Sequence, residues 1–425
     1  MLKIVTTPRR CPRLSRGEAT ALSQHRLFYQ NKQMELYAAR KTNPLTLRQL
    51  IFFGRSMNQE RLIKSANYVR MELPVRIAHR LRDMQKLPFI VVTQEDIARV
   101  YELYWTAFEK FRHYPAIVTM EDNAAFCRFL TNILQEHSSV IPGLTLGLSL
   151  ASPSLPPDVL DSFLRRMLIS RISRRVLAEH HIALSEIYGK KTPPSQSEPH
   201  VGIIFTGLNV KRCIDKCAGL LRERGDGWPQ VIVDGHLDTT FAYIKEHLEL
   251  RQRRISLAMW ATTLRHRGMS SLPPIRTTIV AGTNEVAIRI SDQGGGLSHT
   301  SVKTTSDLFS FSHIRNAARL DDSRIGALRT VSSSPHGLRA TVDEQVVRWQ
   351  LNQSNGFSGQ GADVDGPGME ADIDPHPKIG IGLPMSNIFA TYFGGSLELF
   401  TLDGWGTDVY LRLPKLGTNL EGIEV

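Results

Sequence analysis

A chain of 425 residues is too long for one small core and fits two or three domains of ~100–200 residues each. With 41% apolar and 22% charged residues it has the composition of a folded protein, which excludes wholesale disorder. The net charge of +11 is concentrated at the start: residues 1–30 hold Lys3, Arg9, Arg10, Arg13, Arg16 and Arg26 against Glu18, and the remainder carries 46 basic and 40 acidic residues. A body so mildly basic, without a clustered patch, argues against a nucleic-acid partner.

The first 30 residues are Arg-rich, acid-poor and dotted with Ser and Thr, and they lack the apolar core of a secretory signal. That composition predicts a mitochondrial transit peptide, with a disordered basic tail as the competing reading. From about residue 46 the pattern is helical. Asn58 to Lys86 places Leu62, Ala66, Val69, Leu73, Ile77 and Leu81 at helical intervals. Pro74 is expected to kink or break it. Gln94 to Arg112 and Glu121 to Glu136 are amphipathic. Pro157 to Ile187 carries Leu160, Phe163, Leu164, Met167, Leu168, Ile172, Val176 and Leu177 on one stripe. Four long helices with short connections predict an antiparallel four-helix bundle over residues 31–190.

A polar, Pro-containing linker at 189–200 precedes a different pattern. Asn209 to Arg224 reads as a helix, Gln230 to Asp234 as a strand and Phe241 to about Arg267 as a helix. Ile275 to Val280 and Glu285 to Ser291 alternate as strands joined by a Gly-Thr-Asn turn, a hairpin signal. A helix from Met385 to Phe393 and strands at Ser396 to Leu402 and Thr407 to Leu413 complete an α+β sandwich over residues 191–425. Residues 351–376 are rich in Gly and Asp and are expected to be mobile.

The longest stretch without Asp, Glu, Lys or Arg runs from His137 to Pro157. Its four prolines and five serines exclude a bilayer helix of ~20 apolar residues. Cys11, Cys127, Cys213 and Cys217 form no disulfide framework, and no second ligand pair accompanies Cys213 and Cys217. His180 and His181 diverge by about 100° on a helix, so a packing role outweighs metal.

Two glycine clusters carry the chemistry. Asp292-Gln293-Gly294-Gly295-Gly296 directly follows a predicted strand, and Gly380-Ile381-Gly382-Leu383-Pro384 directly precedes a predicted helix. Glycines let a backbone approach phosphates, and a helix N-terminus offers free N–H groups. An aspartate at a strand end can accept a hydrogen bond from an adenine amino group. Each cluster alone is weak; the pair in this context points to a nucleotide. There is no GxxxxGK[ST] and no HRD or DFG set.

With the closing run Gly404-Trp405-Gly406-Thr407-Asp408, these loops resemble the GHKL-type (Bergerat) ATP-binding fold of histidine kinases, Hsp90, gyrase and MutL. Glu72-Leu73-Pro74-Val75-Arg76, Phe163 to Met167 and Ser170 to Ser173 narrow the resemblance. They are similar to the mitochondrial pyruvate dehydrogenase kinase and branched-chain α-ketoacid dehydrogenase kinase family, across residues 46–415. The resemblance implies a four-helix bundle followed by an ATP-binding domain. It implies an ATP- and Mg2+-dependent protein-serine kinase that phosphorylates and inactivates E1α of a 2-oxoacid dehydrogenase complex in the mitochondrial matrix. It implies docking on lipoyl domains of the E2 core, and a homodimer. By the resemblance Asp292 binds adenine, Gly294 and Gly296 shape that pocket, and Gly380, Ile381, Gly382 and Leu383 form the phosphate loop. Thr407 lies near the adenine, Asp307 sits where some members place a K+ ligand, the ATP lid spans about 307–376, and His137 faces the active-site cleft.

One departure bears on activity. The family's E-x-x-x-N helix supplies a Glu base and an Asn ligand for Mg2+, one helical turn apart. Counting back from Ala258-Met259-Trp260-Ala261-Thr262, those positions hold Arg253 and Leu257. Three readings follow: a catalytically impaired binding protein of the same fold, a short block at 250–257 translated out of frame, or a displaced base such as Glu249. The intact flanks favour the second. As written, the chain is expected to bind nucleotide weakly and to transfer little phosphate.

Overall fold

The computed structural model describes residues 32–55, 57–151, 154–189, 199–222, 229–245, 247–248, 262, 271–296, 309–311 and 382–415. The N-terminal part is helical: α1 (Lys32–Ala38), α2 (Leu47–Arg55), α3 (Gln59–Gln85), the single turn α4 (Phe89–Val92), α5 (Glu95–Arg112), α6 (Met120–Glu136), α7 (Val140–Ala151) and α8 (Pro157–Gly189). No helix among the described residues is long and apolar enough to cross a membrane.

The predicted stripes are the buried ones. The six apolar residues expected to line α3 are at most 3% exposed, and the eight on α8 at most 4%. Start signals are equally local. The Asn58 side chain accepts from Arg61 N to cap α3, and Thr119 and Asp122 form a reciprocal capping box at α6. α3 packs on α1, α5 and α8, while α5 packs on α7 and α6 on α8.

Pro74 does not break α3, which runs through it as one helix of 27 residues. Two residues before and after the proline, Glu72 and Arg76 form a buried ion pair of 2.9 Å. Arg76 also donates to the Ser173 hydroxyl on α8 and to the Asn43 carbonyl at 2.7 Å. Asn43 in turn donates through its backbone and side-chain nitrogens to the two Glu72 oxygens, at 2.9 and 3.1 Å. The bracket flanks the proline and satisfies both charges, as burial demands. It gives a structural reason for the Glu72–Arg76 and Ser170–Ser173 motifs.

α7 has no counterpart among the expected helices, since the prolines and serines of its stretch bear only against a bilayer span. Pro142 lies in the first turn, where its missing N–H costs nothing. A Cβ on Gly147 would fall within 2.8 Å of the Ile97 side chain and one on Gly143 within 3.1 Å of Val100, so these glycines admit α5 at close range.

The second part has two sheets. β1 (His200–Val201), β2 (Ile204–Asn209) and β4 (Thr240–Ile244) form an antiparallel three-stranded sheet. α9 (Val210–Arg222) follows β2 and is capped by Asn209, which accepts from Arg212 N at 2.9 Å. The larger sheet has the order β3 (Val231–Gly235), β5 (Ile275–Ala281), β6 (Glu285–Ser291), β8 (Gly406–Pro414), β7 (Ser396–Leu402). Only the β3–β5 pair of that sheet is parallel. α10 (Gly382–Thr391) packs on β7, β8 and α8.

The expected helix from Phe241 is corrected at its start. Thr240–Ile244 is a strand, because its alternating apolar residues find β2 as a partner. β2 itself was missed for the same reason: a pairing partner distant in sequence decides it. The predicted β5–β6 hairpin forms, closed by Gly282 N on Glu285 O at 2.9 Å. Lys245, His247, Leu248 and Thr262 are helical; the transit peptide, most of the linker, the other residues of that helix after Ile244 and the Gly/Asp-rich stretch lie outside the described residues.

Candidate functional site

β6 is a central strand, with every second residue buried between β5 and β8. Its end delivers Asp292 to the β7–β8 turn. Asp292 N donates to Thr407 O at 3.0 Å, and Asp292 Oδ1 accepts from Thr407 N at 3.1 Å and from Gly294 N at 2.8 Å. Gly295 N donates to Trp405 O and Gly404 N to Gly295 O, both at 3.0 Å. Three residues from each loop are thus zipped together: Asp292, Gly294 and Gly295 with Gly404, Trp405 and Thr407.

The zip needs glycine at particular points. Gly296 has φ +77°, and a Cβ there would lie 2.6 Å from Leu402 O. A Cβ on Gly406 would collide with the Asp292 carbonyl. Both positions therefore exclude side chains on steric grounds. Gly406 was seen only as part of the closing run; its contact with Asp292 required the register of β8 on β6.

The carboxylate is 7% exposed. Burial raises the Asp292 pKa above the ordinary carboxylate range, against the two backbone N–H donors that lower it; Asp408 adds to the rise. Asp408 is itself held by Arg289 at 2.6 Å. Oδ1 has two donors; Oδ2 has no hydrogen-bond donor among the described residues. A half-satisfied, desolvated carboxylate is an acceptor suited to an amino group on a planar ligand.

Of the sequence-predicted residues, Asp292, Gly294, Gly296 and Thr407 are brought together in this loop pair. Gly382 and Leu383 open α10, a separate element packed on the same sheet. Gly380, Ile381, Asp307, Arg253 and Leu257 lie outside the described residues.

His137 is elsewhere, inside the helical part. It is 5% exposed and lines a small cavity walled by α3, α5, α6 and α8, with Arg171 and Arg174 beside it. Arg171 donates to its carbonyl. Burial, then Arg174 and Arg171, depress its pKa to about 3, so the ring is neutral at pH 7. His180 and His181 are also buried, and no group of three metal-ligating side chains occurs among the described residues.

The model of the family described as mitochondrial branched-chain alpha-ketoacid dehydrogenase kinase matches residues 44–205. The chain is 28% identical to pyruvate dehydrogenase (acetyl-transferring) kinase 2, mitochondrial, of Saccharomyces cerevisiae, over 92% of this chain and 85% of that protein. It is 26% identical to the mitochondrial pyruvate dehydrogenase (acetyl-transferring) kinase of Arabidopsis thaliana, over 90% of this chain and 93% of the relative. Against isozyme 4 of Mus musculus identity is 26%, over 91% and 84%. The family model covers the helical part, while the three relatives are matched over nine-tenths or more of the chain, so the chain is similar to the mitochondrial pyruvate dehydrogenase and branched-chain α-ketoacid dehydrogenase kinases.

Proposed function

We propose that this chain is an ATP-dependent protein-serine kinase acting on the E1α subunit of a mitochondrial 2-oxoacid dehydrogenase complex, which it switches off. The observation that carries the proposal is Asp292: buried, oriented by two backbone donors on Oδ1, and open at Oδ2. Oδ2 would accept from the adenine amino group, and Thr407 holds the carboxylate from the neighbouring strand. The first turn of α10 would face the phosphates with N–H groups and a positive dipole end. ATP would supply the phosphoryl group; the chain's part is to bind and orient it. The finer architecture we infer is a four-helix bundle joined to a GHKL-type ATP-binding domain.

The family's Mg2+ position does not fit. Leu257 has no oxygen donor, Arg253 is a cation, and Glu249 is the only carboxylate between residues 249 and 257. A binding protein without transfer, the alternative raised by those two residues, is not favoured: the relatives matched over nine-tenths of the chain are kinases by name. Their names also place them in mitochondria, which supports the matrix as the site of action and the E2 lipoyl domains as the docking partner. A homodimer finds support in the larger sheet. Its register puts Ile232, Arg276, Ser291, Asp408 and Phe400 on one face, with Ile232 and Phe400 exposed.

The test is 32P transfer from labelled ATP to purified pyruvate and branched-chain E1, side by side, with the E2 core present. Label on serines of one E1α is expected, at a low rate given Arg253 and Leu257. ATP binding without transfer to either substrate would overturn the kinase reading.

A further inference from the structure

Between the two glycine loops in chain order lies the short segment 309–311. Ser310 and Phe311 are 3% and 4% exposed. Among the described residues, one side chain from the helical part holds both: Asp161, on the first turns of α8. Asp161 Oδ2 accepts from Ser310 Oγ and Asp161 Oδ1 from Phe311 N, both at 2.7 Å. Two successive donors on the two oxygens of one carboxylate fix the segment's direction as well as its place, and 2.7 Å is in the range of charge-assisted bonds.

The opposite wall of the same seam is α10. A cavity of about 280 Å3 is lined by Asp161 and Arg165 from α8, Phe309 and Phe311, and Pro384 and Asn387 from the first turns of α10. α8, the 309–311 segment and the helix that opens with Gly382 and Leu383 therefore meet at one point. We propose that Asp161 is a positioning residue for the nucleotide site. It anchors the segment that leads out of the Asp292 loop, and through it sets α10 relative to the adenine end. The inference rests on the ATP-binding reading above. Asp161 touches no nucleotide itself; it acts through Phe309, Phe311 and α10.

The experiment measures ATP binding by calorimetry and thermal unfolding for the full chain and three variants. Asp161→Ala is expected to weaken ATP binding about tenfold, the scale of a lost hydrogen bond to a charged group. Asp161→Asn keeps an acceptor for Phe311 N and a donor for Ser310 Oγ, so it is expected to recover most of the affinity. Ser310→Ala leaves the Phe311 bond and is expected to weaken binding by a smaller factor, without adding to Asp161→Ala. In the transfer assay the loss should appear in KM for ATP and leave kcat within about twofold. Unchanged affinity in Asp161→Ala with a lowered melting temperature would overturn the proposal, leaving Asp161 a fold residue only. If Asp161→Ala does not fold, Ser310→Ala decides: native affinity there overturns it. Failure of the unmodified chain to bind ATP sinks the function reading, and this one with it. Normal wild-type binding with unaffected variants sinks this one alone.

Discussion

Asp292 and Thr407 exchange two hydrogen bonds, 115 residues apart in sequence: Asp292 N donates to Thr407 O, and Thr407 N donates to Asp292 Oδ1. The strand pair β6–β8 ends in this exchange, and it turns one carboxylate oxygen toward two backbone donors while the other has none among the described residues. Asp292→Ala should therefore abolish measurable ATP binding in calorimetry. Asp292→Asn keeps an acceptor for the backbone but can present N–H to an amino group; a loss of about tenfold or more is expected. Native affinity in both variants would remove the adenine assignment.

Gly406→Ala and Gly296→Ala test the zip without touching the carboxylate. Each adds one methyl group against a backbone carbonyl, and Gly296 also sits at positive φ. A destabilisation of about 1–3 kcal/mol is expected for each, read from urea unfolding, together with weaker ATP binding. Gly404→Ala, where nothing lies within 4 Å of the added Cβ, should cost less despite its positive φ.

The Glu72–Arg76 pair predicts a non-additive mutant cycle. Arg76→Met leaves Glu72 buried and unpaired and should cost about 3–5 kcal/mol. Removing both charges, Glu72→Leu with Arg76→Met, should cost markedly less than the sum of the single changes. Additivity in urea unfolding would show that the bracket carries no coupling.

Stability should fall in mild acid. Burial holds the His181 pKa at about 4, and its ring is already placed as a neutral group between Ser65 Oγ at 3.1 Å and Asn123 Oδ1 at 3.0 Å. His180 is lowered to about 4 and His137 to about 3, both chiefly by burial. From the ordinary value of 6.5 downward the unfolded chain takes up protons that the native rings refuse. Their contribution is thus complete above pH 6.5 and shrinks as pH falls toward 4. Urea midpoints between pH 7.5 and 5 should decrease, and His181→Gln should flatten the slope. A pH-independent midpoint would contradict the burial of these rings as neutral groups.

Arg253→Glu with Leu257→Asn introduces a carboxylate base and an oxygen ligand four residues apart. Phosphotransfer in the 32P assay is expected to rise by at least about tenfold, since a positioned base alone contributes 10²–10⁴-fold. Equal rates before and after would mean that this chain's base and metal ligand come from other residues.

Local signals made much of the helical part readable. The stripes of α3 and α8 lie within one helix each, and the caps at Asn58 and Thr119 are decided by neighbours three residues away. Asp292 and its glycines were readable for a similar reason, since a glycine cluster after an alternating strand is a short-range pattern. The misreadings have the opposite character. β4 and β2 are strands because each supplies the other's backbone partners across more than 30 residues. Gly143 and Gly147 serve as contact points for α5, a role that the local sequence does not signal.

Residue order alone thus marked most of the long helices, the stripe each buries and the loops that carry glycine clusters. Those properties depend on periods of two or 3.6 residues and on the freedom of glycine. Which oxygen of Asp292 stays free, why Gly406 tolerates no side chain, and that Asp161 reaches Ser310 and Phe311 came from the assembled chain. Each is a contact between groups more than 100 residues apart, and only packing brings such groups within a hydrogen bond of one another.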